Sequence, residues 1–267
     1  MATIGETPIV TIDAVSKDFE KRGLKVKALE AISLEITASE FVAVLGPSGC
    51  GKSTLLNIVA GFEAPTAGRA LFKGEPIVDP SPRRAVVFQE PALFPWLSVL
   101  DNVTFGPRVQ GKDRSSYEPR AHSILQQVGL EQFAKHYPGE LSGGMRQRVG
   151  IGRVLAMESE LLLMDEPFGA LDAQTRSLMQ ELLLGVWERY KQTVLFITHD
   201  IEEALLLADT VYVMTARPGR MKRAIKVELP RPRPIDVTTS PAFNDIKRDI
   251  LYLIREEAMR AATEGAP

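Results

Sequence analysis

The chain has 267 residues, of which 45% are hydrophobic and 25% are charged, as in an ordinary globular protein. Its 32 basic and 34 acidic side chains leave a net charge of −2, which argues against binding nucleic acid through a generally basic surface. A single cysteine excludes an intrachain disulfide. Because we find neither a signal-peptide pattern nor an apolar run near the ~18 residues of a membrane span, we expect any membrane role to depend on a partner.

The first part of the chain predicts three strands and a helix. Ile9–Val15 and Ala28–Ile36 alternate between apolar and polar side chains, as half-buried strands do, and a polar turn over Lys21–Lys25 separates them. Glu40–Leu45 is mostly apolar without alternation, which predicts a strand buried on both faces. After a glycine-rich turn, Lys52–Ala60 has the pattern of a helix that a glycine ends.

The middle and later parts of the chain differ in pattern. From about Glu90 to Ala156, repeated prolines separate loops from helices, which predicts a helical lobe inserted into a sheet domain. Leu161–Met164 and Thr193–Thr198 then look like buried strands, followed by the predicted helices Ala173–Tyr190 and Ile201–Ala208. This β–α alternation predicts a parallel sheet with helices on its faces.

The carboxyl-terminal region is rich in proline and arginine. We expect the arginines of Leu229–Pro234 to lie on a solvated face. Phe243–Ala262 predicts an amphipathic helix that covers the core. Its apolar stripe consists of Ile246, Ile250, Leu253 and Ala258. We therefore expect one domain over residues 8–230, with the helical part at about 90–156, and a linker and helix over 231–267.

The glycine-rich turn after Leu45 matches the phosphate-binding pattern G-x-x-x-x-G-K-[ST]. Glycines let backbone N–H groups approach phosphate oxygens, Lys52 can bridge the β- and γ-phosphates, and the Ser53 hydroxyl can bind Mg²⁺. The alternative is a glycine-rich turn with a surface lysine, which the strand–turn–helix context disfavours. The predicted phosphate-binding residues are Gly46, Pro47, Ser48, Gly49, Cys50, Gly51, Lys52, Ser53 and Thr54.

Two carboxylates follow the buried strand Leu161–Met164. Asp165 would hold Mg²⁺ through its waters, and Glu166 is a candidate general base that polarises the attacking water. Alone, such a pair is more often a strand end that reaches solvent. Together with the upstream phosphate loop, it indicates a nucleotide-hydrolysing site.

Leu141–Arg148 contains a second helix amino terminus that is suited to binding an anion. Ser142 can cap this helix, and Gly143 and Gly144 expose its amino-terminal N–H groups. The alternative is an ordinary capped helix that uses the two glycines as a turn.

These motifs together resemble the ATP-binding subunits of ABC transporters, and the resemblance covers nearly the whole chain. It implies an α/β fold, with a RecA-like P-loop core containing a parallel sheet, an N-terminal antiparallel β subdomain and an inserted α-helical subdomain. The matching segments are Walker A Gly46–Ser53, the Q-loop Val87–Gln89, the signature Leu141–Gly144, Walker B Leu161–Asp165, the D-loop Ala170–Asp172 and the switch segment Thr198–Asp200.

The resemblance also implies the bound groups, ATP and Mg²⁺, and a role for each site residue. The implied catalytic residues are Glu166, His199, Gln89 and Lys52. The implied ATP-binding residues outside Walker A are Phe19, which stacks on adenine, and Ser142, Gly143, Gly144 and Asp172. The implied metal ligands are Ser53, Gln89 and Asp165. The alternative roles are a core residue for Phe19, a polar loop residue for Gln89 and a structural histidine for His199.

Partners follow from the same resemblance. It implies a head-to-tail homodimer, in which the signature of one subunit completes the ATP site of the other. It also implies integral membrane permease subunits, an indirect link to a solute-binding protein, no nucleic acid partner and a location at the cytoplasmic face of the inner membrane.

Two segments narrow the branch of the family. Phe88–Val103 and Met214–Arg220 resemble the branch that imports nitrate, taurine and aliphatic sulfonates. Importers of thiamine- or pyrimidine-precursor compounds look similar and stay open. A soluble ABC-type ATPase acting on DNA or ribosomes, and a nucleotide-dependent docking module without turnover, are the alternatives from other classes. Glu166 argues against the docking module.

Overall fold

A computed structural model describes residues 7–21 and 23–263. The chain divides into two compact units, the first made of Met1–Ser81 with Lys191–Pro267 and the second of Pro82–Tyr190. In sequence, the second unit is inserted between the two segments of the first. Among the described residues, no helix is both long enough and apolar enough to cross a membrane.

The strands and helices are numbered in chain order. The strands are β1 Val10–Lys21, β2 Leu24–Ile36, β3 Phe41–Leu45, β4 Ala67–Phe72, β5 Glu75–Pro76, β6 Arg84–Val87, β7 Leu161–Asp165, β8 Thr193–Thr198, β9 Thr210–Met214 and β10 Met221–Lys226. The helices are α1 Lys52–Ala60, α2 Val99–Val109, α3 Arg114–Gln127, α4 Gly143–Ala156, α5 Ala173–Tyr190, α6 Ile201–Leu207 and α7 Pro241–Thr263. Short 3-10 turns cover Glu131–Phe133, Pro138–Glu140 and Ile235–Thr239.

The first unit contains an antiparallel sheet with the strand order β2-β1-β4-β5. Strands β1 and β2 are longer than predicted, because their pairing continues to Lys21 opposite Leu24. The predicted five-residue turn at Lys21–Lys25 is therefore wrong. At this end of the hairpin Leu24 and Val26 are exposed, so no buried face imposes the alternation on which the prediction relied.

The same unit contains two of the predicted parallel strands, β3 and β8, together with β9, which was not predicted. Strand β3 lies between β8 and β9 and runs parallel to both, while β10 pairs antiparallel with β9. Every residue of β3 and β8 is buried, as the apolar runs predicted. Leu45 at the end of β3 pairs with Thr198 of β8 and with Val213 of β9. The loops that follow these three strands therefore begin at one edge of the sheet.

The second unit combines a strand pair with helices. Strands β6 and β7 are parallel and pair Val87 with Met164, so the segments after both strands also begin at one edge. Helices α2, α3 and α4 pack against one another around buried side chains such as Val103, Ile124 and Ile151. Helix α5 has the predicted bounds.

Helix α7 belongs to the first unit and packs against α6. Its Phe243 and Ile250 are fully buried, and Lys247 pairs with Glu202 of α6. Of the predicted stripe, Ile246 and Leu253 are half-buried, and the side chain of Ala258 lies outside the described residues. The helix thus covers part of the core, as predicted.

The prediction that the arginines after Leu229 lie on a solvated face is wrong for Arg233. Arg233 is 3% exposed, and its guanidinium donates to the carbonyls of Leu205 (3.0 Å), Ala208 (2.6 Å) and Val227 (3.1 Å). Burial, and next the charge of Arg231, lower the pKa of Arg233 to about 10. Composition predicted a solvated face, but the carboxyl end of α6 leaves backbone carbonyls that need donors, and a guanidinium has five.

Replacing Arg233 by methionine is expected to destabilise the fold strongly. The substitution leaves the carbonyls at the end of α6 buried without a donor, and we expect a loss of about 3 kcal/mol in the free energy of unfolding. Urea denaturation followed by circular dichroism measures it. Arg223→Met, at an exposed position of β10, is the matched control and should change stability by less than about 0.5 kcal/mol. Equal stability of the two variants would contradict a structural role of Arg233.

Candidate functional site

The phosphate-binding loop follows β3 and begins α1. The buried Lys52 ammonium donates to the carbonyls of Gly46 (2.8 Å) and Pro47 (3.1 Å). Gly51 is the N-cap of α1, no side chain caps the helix, and its first turn has no acidic residue. An uncapped helix amino terminus beside a lysine attracts an anion, which fits a phosphate.

Packing around the loop explains two of its residue types. Gly51 has φ +104°, and a Cβ there would lie 2.7 Å from a Leu29 methyl carbon, so only glycine fits. The Cys50 side chain is 1% exposed and fills space beside Gly46, consistent with selection for size. The remaining loop residues are half-exposed at Pro47 and Thr54 and exposed at Ser48, Gly49 and Ser53.

His199 is exposed and directly follows β8. It therefore lies at the edge of the sheet at which the phosphate loop also begins. The residues on both sides of it are fixed. Asp200 caps α6 by accepting from the Glu202 (2.8 Å) and Glu203 (3.2 Å) N–H groups. The Thr198 hydroxyl donates to the buried Glu203 carboxylate at 2.7 Å. The backbone that carries the imidazole is therefore held on both sides.

Phe19 lies on β1 opposite Val26 and is 37% exposed. The Lys17 ammonium is 5.0 Å from the centre of its ring, a cation–π contact. A partly exposed aromatic ring is suited to stacking, and adenine stacking by Phe19 stays a prediction.

Within the second unit, Asp165 is the last residue of β7 and Glu166 follows it, while Gln89 lies just after the adjacent end of β6. Glu166 has φ +43°, a left-handed conformation that is strained for a residue with a Cβ. Its carbonyl accepts from the Gly169 N–H at 3.0 Å. The Gln89 side-chain nitrogen lies 3.3 Å from where a Cβ on Gly169 would be, so Gln89 and Glu166 both lie beside Gly169.

The signature and the D-loop share one cavity. Ser142 caps α4 by accepting from the Met145 N–H at 3.3 Å, as predicted. With Gly143, Gly144 and Asp172 it lines a cavity of 510 Å³ in the second unit. Asp172 also caps α5 through the Thr175 N–H (3.0 Å), and this backbone hydrogen bond lowers its pKa.

Sequence reasoning missed the residues that hold the chain after Gln89. Arg153 of α4 donates to the carbonyls of Pro91 (3.0 Å) and Ala92 (2.9 Å), and burial lowers its pKa. The Asn102 side chain of α2 accepts from the Phe94 N–H at 2.9 Å and donates to its carbonyl at 3.1 Å. The Arg153 contacts join residues 61 and 62 positions apart in sequence, so no local pattern could reveal them.

The first unit thus carries the residues that suit phosphates, and the second carries the two carboxylates and the amide. Together with the parallel strands, this is the residue set of a P-loop ATPase. A family model described as ABC transporter matches residues 29–169. The chain belongs to the ABC transporter family.

Curated relatives match over most of their length. An uncharacterised ABC transporter ATP-binding protein of Methanocaldococcus jannaschii is 47% identical over 94% of this chain and 92% of that protein. An aliphatic sulfonates import ATP-binding protein of Bacillus cereus is 44% identical over 91% of this chain and 94% of that protein. A taurine import ATP-binding protein of Pseudomonas aeruginosa is 47% identical over 83% of this chain and 84% of that protein.

Solved structures confirm the predicted fold. A bacterial ABC transporter cassette solved as a dimer has a TM-score of 0.72 and 32% identity, over 82% of this chain and 99% of that one. The same cassette was also solved as a post-hydrolysis dimer bound to ADP and phosphate, with a TM-score of 0.71. The chain is therefore an ATP-binding, ATP-hydrolysing subunit of the ABC transporter type.

Proposed function

We propose that this subunit powers an importer of taurine, aliphatic sulfonates, nitrate or a related small anion. The observation that carries this proposal is the 44–47% identity to import ATP-binding proteins for aliphatic sulfonates and for taurine. The ATPase residues do not contact a transported solute, so the proposal rests on these relatives. In the proposal, residues 8–230 form the ATPase domain, with the helical part at 90–156, and 231–267 form the linker and helix.

In the proposed mechanism, each side chain has a role that suits its surroundings. Lys52 moves its donors from the loop carbonyls to phosphate oxygens and neutralises their charge. Glu166 accepts a proton from the attacking water, and His199 contacts the γ-phosphate. Phe19 stacks on adenine.

Mg²⁺ fits the donors that the chain offers. The Ser53 hydroxyl, the Gln89 amide oxygen and the Asp165 carboxylate are hard oxygen ligands, and Mg²⁺ at phosphates uses only one or two carboxylates. When bound, the ion neutralises charge on the phosphates. Asp165 would hold the ion through its waters.

The proposed assembly is a head-to-tail homodimer at the cytoplasmic face of the inner membrane, bound to permease subunits. The dimeric bacterial cassette supports the homodimer, and the importer names of the relatives support the permease. A solute-binding protein would deliver the solute to the permease.

The transport proposal is tested with the permease that co-purifies with this chain and with the solute-binding protein that serves that permease. The three components are reconstituted in liposomes, and phosphate release is measured with the candidate solutes. We expect taurine, an alkanesulfonate or nitrate to stimulate hydrolysis. Stimulation by a thiamine or pyrimidine precursor alone would overturn the proposed substrate, and failure to co-purify with any permease would overturn the importer.

Head-to-tail assembly predicts complementation between two inactive variants. Ser142→Arg damages the exposed signature in the second unit, whereas Lys52→Ala damages the phosphate loop in the first. In a mixed dimer, one composite site combines an intact loop with an intact signature. We expect ATP-dependent dimers in the mixture and in neither parent alone, measured on a sizing column. No ATP-dependent dimer in the mixture would contradict the head-to-tail arrangement.

A further inference from the structure

The segment Thr215–Arg220 of the first unit has no assigned role, yet it contacts the phosphate-binding loop directly. It follows β9, whose Val213 pairs with Leu45 just before the loop. The Arg217 guanidinium donates twice to the Gly49 carbonyl, from Nε at 3.2 Å and from Nη2 at 3.1 Å. Gly49 is exposed in the middle of Walker A.

The segment is itself a loop closed by its own hydrogen bonds. The Thr215 N–H donates to the Arg220 carbonyl at 3.0 Å, and the Thr215 hydroxyl accepts from the Arg220 N–H at 3.0 Å. The same hydroxyl lies 3.1 Å from the Pro218 carbonyl. Arg217 therefore projects from a base that its own hydrogen bonds fix.

That base is attached to β2 by backbone and side-chain bonds. The Gly219 N–H donates to the Ala28 carbonyl, and its own carbonyl accepts from the Glu30 N–H, both at 2.9 Å. The Arg220 guanidinium donates to the Glu30 carboxylate at 2.9 Å and holds the pKa of Glu30 below its usual value. The segment is thus tied to a strand as well as to the loop.

Gly219 allows the segment to pack directly against the backbone of the phosphate-binding loop. A Cβ on Gly219 would lie 2.2 Å from the Cys50 carbonyl oxygen and 2.6 Å from the Met214 methyl carbon. Such distances exclude any side chain, so the sequence must have glycine here for the two backbones to approach.

A phosphate-binding loop works by facing its N–H groups towards the anion, and a carbonyl that turned inwards would repel the phosphate. We propose that Arg217 is a positioning residue for nucleotide binding, which holds the Gly49 carbonyl away from the phosphates and so keeps the loop N–H groups presented. This inference rests on the proposed function only in assigning phosphate to the loop.

The first test needs no nucleotide, because Cys50 is the only cysteine of the chain and is buried within the loop. Its rate of modification by a maleimide reports loop opening in the full-length protein. We expect Arg217→Ala to raise this rate about three- to tenfold, the effect of losing a charge-assisted hydrogen bond at an exposed position. Arg223→Ala, exposed on β10, is the matched control and should leave the rate unchanged. Urea denaturation identifies any global loss of stability.

The second test is nucleotide affinity. For Arg217→Ala we expect ATP and ADP to bind about three- to tenfold more weakly, with KM raised and kcat little changed. Arg217→Lys, which keeps the charge but has a single donor nitrogen in place of the two that Arg217 uses, should fall between alanine and wild type in both tests. Unchanged Cys50 modification in Arg217→Ala, or unchanged ATP affinity in that variant, would each overturn positioning by hydrogen bonds.

Different results would contradict the assigned phosphate loop and the positioning role of Arg217. If Lys52→Ala binds ATP as tightly as wild type, the assigned phosphate loop is wrong, whatever Arg217 does to Cys50 reactivity. If Lys52→Ala loses ATP while Arg217→Ala behaves as wild type, the loop assignment stands and the positioning role is wrong.

Discussion

Replacing Glu166 by glutamine is expected to abolish ATP hydrolysis while leaving ATP binding intact. Glutamine keeps the shape of the side chain but cannot accept a proton, and a general base commonly contributes about 10²–10⁴-fold to the rate. Lys52, Ser53, Asp165 and the signature Ser142 are unchanged. With ATP and Mg²⁺ the variant should therefore accumulate as a stable dimer on a sizing column, and ADP should leave it monomeric.

Asp165→Asn is the informative comparison for this prediction. Losing the carboxylate assigned to Mg²⁺ should impair Mg²⁺-dependent nucleotide binding itself, so this variant should not form the stable dimer. Wild-type turnover by Glu166→Gln would refute the assigned base. A variant that binds ATP but stays monomeric at high protein concentration would refute the proposed dimer mechanism.

The second large effect is expected for Lys52→Ala. The substitution removes the ammonium that neutralises the phosphates, and it also leaves the Gly46 and Pro47 carbonyls without their lysine donor. We expect ATP affinity to fall about a hundredfold and hydrolysis to become undetectable, because each charge-assisted hydrogen bond contributes about 1.5–3 kcal/mol. Isothermal titration calorimetry and phosphate release measure the two losses.

Lys135→Ala is the control for this substitution, since Lys135 is exposed in the second unit. It should bind and hydrolyse ATP as wild type does. Near-normal phosphate release by a folded Lys52→Ala protein would show that the phosphate loop is assigned wrongly.

The sequence predicted best where burial or a special backbone conformation imposes a pattern. Strand β8 and helix α5 have the predicted bounds, and α1 ends at Gly61, which adopts φ +86°. An apolar run buried on both faces and a left-handed glycine each leave a local signal. The strand–turn–helix around Gly46–Ser53 and the Ser142 cap also left local signals.

The failures concern residues whose environment comes from distant parts of the chain. Arg233 looks like a surface residue until the carbonyls of α6 surround it. Strand β10 was missed because its pattern is largely exposed and it forms only by pairing with β9. The contact from Arg217 to Gly49 spans 168 positions, a distance over which sequence spacing carries no information.

At residue 166, the left-handed backbone conformation and the proposed chemistry favour different residue types. A glycine would adopt φ +43° without a clash, whereas any residue with a Cβ costs about 1 kcal/mol or more there. This φ alone would therefore favour glycine at residue 166, whereas the proposed general-base role requires glutamate. In the proposed mechanism, residue 166 is a point of stability–activity trade-off, at which relieving the backbone strain with glycine would remove the base.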